Sequence, residues 1–342
     1  MGKPLNEPFF EWLKKGGKSM IEMLMQYQDL DLRMNGDKLK IYFKGFLILT
    51  IPQSIIKKIE FVFSKTSLLN PSYYQNKPNN SLILDVIRRG VRIHNLQEYI
   101  ETSIGFLSAR DNSRIEETIR QEIAMTNNRS RVANETDYFI VDQEYKFFNG
   151  DDSPRFDLVA IKWPSTGESH KNFDLDNNIG ITVFELKYGK GAIGGSKASS
   201  DESENNNTKA DMVKHVNDFY NFKANKELVE TFKENILRMF IQQASLKGLY
   251  NPTTTQAMKN VVKLSDPVNS MKLEEIKKGI PINFGFINAD FKEKSLTLKL
   301  QVDKIDKDFI FAKASFMGYG LFEKSMMSKQ ELISFLNENH DS

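Results

Sequence analysis

The strongest constraint on this chain is a strand that reads as buried yet carries two opposite charges. In Phe184-Glu185-Leu186-Lys187-Tyr188 a carboxylate and an ammonium stand two residues apart. Strand side chains alternate between faces, so Glu185 and Lys187 point the same way, together with Ile181 and Val183. The preceding apolar segment, Arg155-Phe156-Asp157-Leu158-Val159-Ala160-Ile161, brings a third charge. Charges rarely enter the apolar part of a strand without a partner or a task. Two acids and a lysine that converge on a sheet surface suit a small divalent cation beside a water-polarising group, the chemistry that hydrolyses phosphodiesters.

Bulk properties narrow the setting. A chain of 342 residues suggests two domains. Forty-seven basic residues against 45 acidic ones leave a net charge of +2, so any nucleic-acid surface must be local. The absence of cysteine excludes disulfides and thiolate metal sites and fits a reducing compartment. Met1-Gly2-Lys3-Pro4-Leu5 lacks the apolar core of a secretory signal, and no apolar run is long enough to span a bilayer. The expected address is cytoplasmic, with no membrane partner.

The pattern predicts an α+β or mixed α/β plan. Residues Phe9 to Gln28 read as helical, broken at Gly16-Gly17. Leu30 to Met34, Asn35-Gly36 and Leu39 to Ile51 read as a hairpin. Thr66 to Ser81 reads as a loop, and helices are expected near Leu82 to Arg89 and Leu96 to Ser108. Arg110-Asp111-Asn112-Ser113 reads as a joint, with Ser113 placed to cap the next helix. The division is therefore an N-terminal α+β domain over 1–110 and a second domain over 111–342.

Beyond the joint the order is helix (Arg114 to Met125), strand (Asp137 to Phe148), strand (Arg155 to Trp163) and strand (Gly180 to Tyr188), most simply an antiparallel meander. Helices follow at Asp211 to Phe222 and Leu228 to Leu249, then strand Ile282 to Ala289 with a hairpin partner at Ser295 to Val302, and a last helix around Lys329 to Asn337. Gly189 to Lys209 is rich in Gly, Ser, Asn and acids, too polar to order itself, and is expected to be mobile.

This order, with Asp157 on one strand and Glu185-Leu186-Lys187 on the next, resembles the PD-(D/E)XK nuclease superfamily over roughly residues 114 to 250. Phe156 stands where the motif has its proline, with Pro154 nearby. The resemblance implies a restriction-endonuclease-like core, a central mixed sheet flanked by helices. It implies a nuclease in which Asp157, Glu185 and the Leu186 carbonyl hold Mg²⁺ or Mn²⁺ and Lys187 positions the water or offsets charge. DNA stands ahead of RNA as the nucleic-acid partner.

Such nucleases often add an acid from the preceding helix. On Arg114 to Met125 the apolar stripe is Ile115, Ile119, Ile123; Glu122 is the first candidate for a further ligand and Glu116 the second. His215, beside the stripe Met212, Val216, Phe219, is an accessory candidate, and the four histidines show no zinc-type spacing. Lys190 and Lys197 are available to touch nucleic-acid phosphates.

Two rival readings differ. Gly189-Lys190-Gly191-Ala192-Ile193-Gly194-Gly195-Ser196-Lys197 follows a strand but lacks the Gly-Lys-Ser/Thr and the helix start of a phosphate loop. A non-catalytic nucleic-acid-binding or scaffold protein with a nuclease-like fold would lack cation-dependent cleavage. For residues 1–110 the basic groups Lys57-Lys58 and Arg88-Arg89-Arg92 allow duplex recognition; a homodimer and a regulatory role are equally open.

Overall fold

A turn that demands positive φ starts the N-terminal sheet. In the computed structural model, which describes residues 2–57, 96–108, 114–146, 155–163, 179–189, 193, 211–314 and 318–340, Gly36 has φ +61° and joins β1 (Leu30–Asn35) to β2 (Lys38–Phe43). Asn35 pairs with Lys38, so the two-residue turn is Gly36-Asp37, one residue beyond the expected Asn35-Gly36. The expected partner Leu39 to Ile51 is two strands, because Lys44 (φ +47°) and Gly45 (φ +74°) reverse the chain again before β3 (Phe46–Pro52). A Cβ at Gly45 would fall 2.5 Å from the Glu117 Cβ, so the turn rests directly on the following helix.

Two short helices precede the sheet, α1 (Glu7–Lys14) and α2 (Lys18–Leu24), separated at Gly16-Gly17 as expected. After α3 (Leu96–Ser108) and α4 (Ile115–Asn128) comes the larger sheet. Its strands are β4 (Tyr138–Lys146), β5 (Arg155–Lys162), β6 (Gly180–Lys187), β7 (Ile282–Asn288), β8 (Ile310–Lys313) and β9 (Met326–Ser328), adjacent in that order. β4, β5 and β6 form the antiparallel meander; β6, β7 and β8 run parallel; β9 returns antiparallel. The architecture is α+β, a mixed six-stranded sheet flanked by helices.

β6 is buried at every position, which requires cover on both faces. Phe184 and Leu186 pack with Leu158, Ala160 and Ile287 under Ile119 and Ile123 of α4. Ile181, Val183 and Phe286 pack on the other face against α5 (Met212–Ala224) and α6 (Lys226–Ser245), with Val216, Phe219, Ile236 and Phe240 in the same core. Asp211 caps α5 by accepting from the Lys214 amide at 2.8 Å. Helices α7 (Thr255–Lys263) and α8 (Ser270–Gly279) lead on to β7.

The segment Ser295 to Val302 is a helix, not a hairpin strand. It forms α9 (Leu296–Asp303), capped by Ser295 Oγ accepting from the Leu298 amide at 3.2 Å. Leu296, Leu298, Leu300 and Val302 alternate like a strand, yet Leu298 and Val302, four apart, are the buried pair. The slot beside β7 is taken by β8, and α10 (Lys329–His340) closes the chain.

The N-terminal region shares this core. Leu5, Phe9 and Leu13 belong to the cluster that contains Phe139 and Phe240. Gln242 exchanges two hydrogen bonds with the Leu5 backbone, at 2.7 and 2.8 Å. Gln121 of α4 accepts from the Gly45 amide and donates to the Asp29 carbonyl. Among the described residues no helix is long and apolar enough to cross a membrane. The loop Thr66 to Ser81, the helix near Leu82, Lys58, Arg88, Arg89, Arg92 and Ser113 lie outside the described residues.

Candidate active site

The pairing of β5 with β6 runs from Lys162↔Gly180 to Leu158↔Phe184. Asp157 and Glu185 lie one step beyond its end. There a side chain takes over the ladder: the Leu186 amide donates to Asp157 Oδ2 at 3.0 Å. The Lys187 carbonyl accepts from the Ala289 amide on the opposite flank. Backbone groups alternate in direction along a strand, so both the amide and the carbonyl of Leu186 turn toward β5 and Asp157.

Glu185 and Lys187 are 7% and 6% exposed. Lys187 Nζ donates to Glu185 Oε1 at 3.1 Å, and His215 Nε2, on α5, stands 3.2 Å from the same oxygen. Burial pushes the Glu185 carboxyl up to about 8, and the neighbouring charge of Asp157 pushes the same way; Lys187 opposes both without prevailing. A side-chain hydrogen bond with Asp157 adds to the rise. Burial and the neighbouring acid thus favour the protonated form of Glu185.

Arg120 of α4 was not singled out in the sequence, yet it anchors the acids. Its Nη1 meets Asp157 Oδ1 at 2.5 Å and its Nη2 meets Glu144 Oε1 at 2.9 Å; Arg155 Nη2 joins Glu144 Oε1 at 2.5 Å. Burial works to raise the Glu144 carboxyl, but Arg120, Arg155 and Arg33 together hold it below its ordinary value. Glu144 has φ +58°, a left-handed backbone that costs energy for a residue with a side chain. The available signal was the i, i+4 row Glu116-Arg120 beside the Ile119-Ile123 stripe.

The helix acids divide. Glu116 stands at the rim: burial, then the charge of Asp157, raises its carboxyl, while Lys187 and Arg120 pull it down. Glu122 does not join the pair. It is raised by burial and by Asp29, is countered by Lys44, and lines a separate cavity of about 670 Å³ with Asp29 and Tyr250. Six residues beyond Glu116, it faces another flank of the helix. Asn288, aligned with Lys187 across β6 and β7 and 1% exposed, is a polar neighbour the sequence did not suggest. Lys190, Lys197 and most of Gly189 to Lys209 lie outside the described residues, as do His94 and His170.

Among the described residues no three His, Cys, Asp or Glu side chains gather into a metal-holding group. The donors in reach are the two carboxylates and the Leu186 carbonyl. No family model, curated protein or solved structure matches the chain.

Proposed function

We propose that this protein is a divalent-cation-dependent nuclease that hydrolyses phosphodiester bonds, of DNA ahead of RNA, on the plan of the PD-(D/E)XK superfamily. The observation that carries the reading is the meeting of Asp157 and Glu185 where β5 and β6 part, with Lys187 on the same side. The succession of α4, the β4-β5-β6 meander, α5 and α6, and parallel β7 supports it.

The donor set fits Mg²⁺ or Mn²⁺. Mg²⁺ keeps several waters and often takes only one or two carboxylates, so Asp157, Glu185 and the Leu186 carbonyl would suffice. Asp157 accepts from Arg120 and Leu186 and, with about four lone-pair sites on a carboxylate, retains capacity. When bound, the cation would lower the pKa of a water and withdraw charge from the phosphate. Lys187 has no lone pair while protonated; it orients the attacking water or offsets negative charge developing on the phosphate. His215 steadies Glu185 from α5, and Arg120 fixes the rotamer of Asp157.

A second reading has one observation in its favour. Arg120 on Asp157, with Lys187 and His215 on Glu185, already satisfies both acids, as suits a binding protein that keeps a nuclease-like fold. Incubation with DNA and RNA substrates in Mg²⁺, Mn²⁺ or chelator separates the two. The nuclease reading expects cleavage that chelator abolishes; binding without cleavage in either cation supports the second.

A further inference from the structure

A second polar cavity, of about 210 Å³, opens between the N-terminal sheet and β4–β5. Arg33, Lys40 and Tyr42 line it from one sheet, Lys146 and Arg155 from the other. Its cations are not equivalent. Arg33 is committed to Asp31 at 2.6 Å and lies 4.0 Å from the centre of the Tyr42 ring. Arg155 is committed to Glu144, which Arg120 also holds. Lys40 and Lys146 form no ion pair among the described residues. Burial first, then the neighbouring charges of Lys38 and Arg33, lowers the ammonium pKa of Lys40, against the pull of Glu144 and Asp142.

Two carboxyls also line the cavity, and both are largely spent. Glu144 is neutralised by its arginines. Burial raises the Asp142 carboxyl above its ordinary value, which favours its uncharged form. What remains is a concave pocket with surplus positive charge and a phenol, suited to a phosphate oxygen cluster.

Its position matters as much as its charge. A single guanidinium, Arg120, touches both Asp157 and Glu144, so the cavity wall begins one guanidinium width from the candidate catalytic acids. Successive phosphates along one DNA strand advance by about 3.4 Å of helix axis.

We propose that this cavity is a phosphate subsite that receives a backbone phosphate of the nucleic-acid strand next to the one held at Asp157 and Glu185. It rests on the nuclease reading for its substrate, but it is tested by binding alone. The same chemistry would serve free phosphate, so the experiment carries both probes.

The test measures binding of fluorescein-labelled DNA, single-stranded and duplex, by anisotropy in chelator across a salt series. The proteins are wild type, Lys146→Gln and the double variant Lys40→Met, Lys146→Met, each checked for folding by thermal unfolding. Each lost lysine should lower the salt slope by about 1, and the double variant should bind about tenfold more weakly at moderate salt. Lys146 is exposed, so Lys146→Gln keeps the test readable if the double variant fails to fold.

Unchanged affinity and slope, or no DNA binding by wild type, overturns the subsite. Stabilisation of wild type but not the double variant by inorganic phosphate, with DNA binding unaltered, assigns the pocket to free phosphate and overturns the nucleic-acid proposal. Parallel cleavage assays in Mg²⁺ keep the two readings apart. Lysine-dependent binding without cleavage retains the subsite and removes the nuclease; cleavage with lysine-independent binding does the reverse.

Discussion

Arg120 is 4% exposed and couples two carboxylates on two strands. Removing one partner of a buried ion pair is costly, because the remaining charges keep their desolvation penalty. Arg120→Ala should therefore destabilise the protein by about 1–3 kcal/mol in chelator, read from urea unfolding. Mg²⁺ should restore part of the loss if a cation can stand in for the guanidinium at Asp157. A variant as stable as wild type in chelator would show that Asp157 and Glu144 do not depend on Arg120. At this scale the sequence was informative about Asp157, Glu185 and Lys187, because charges inside apolar strands stand out. It was silent about Arg120 and Glu144. An arginine on a helix looks solvated until the sheet beneath it is known, and the left-handed backbone of Glu144 leaves no trace in the letters.

Among the elements, period-two and period-3.6 signals located β4, β5, β6 and the helices beside them, because long strands covered on both faces are nearly continuous apolar runs. They misled at α9. There Leu296 and Leu300 sit exposed on a helix whose buried pair, Leu298 and Val302, fits either period. The deciding residue is Ser295, whose hydroxyl satisfies an amide that the first helical turn leaves open. Ser295→Ala should lower stability by about 1 kcal/mol, seen as a reduced midpoint in thermal unfolding followed by circular dichroism. No change would mean that packing of Leu298 and Val302 alone holds the helix. The hairpin's first turn formed, but the single second strand expected over Leu39 to Ile51 failed for a related reason. Lys44-Gly45 is a weaker turn signal than Asn35-Gly36, and the turn is secured by its seat on Glu117, a contact distant in sequence.

For the whole molecule, the seam between the two sheets joins the N-terminal region to the candidate active site. Asp142 lies in that seam with its Oδ2 unpartnered among the described residues, against Gly2, where a Cβ would fall within 1.8 Å of the oxygen. Burial raises its carboxyl from 3.8 to about 7, against the pull of Arg33. The folded state thus favours the protonated form. Its stabilising contribution is complete below about pH 4 and is lost as pH rises through about 7. Wild-type stability attributable to this group should fall over that window by at most about 1.4 kcal/mol per pH unit, and Asp142→Asn should flatten the slope. Equal slopes for the two proteins would place the titration elsewhere. The central claim concerns the division of labour at the end of β6, where Glu185 supplies anionic oxygen and Lys187 supplies charge. The most direct measurement compares Mg²⁺ binding by calorimetry and DNA cleavage for wild type, Lys187→Ala and Glu185→Ala. Wild type should bind and cleave; Lys187→Ala should bind Mg²⁺ but lose about 10²–10³ in cleavage rate; Glu185→Ala should lose both. A wild type that cleaves no nucleic acid in any divalent cation, or Lys187→Ala cleaving as fast as wild type, would contradict the account.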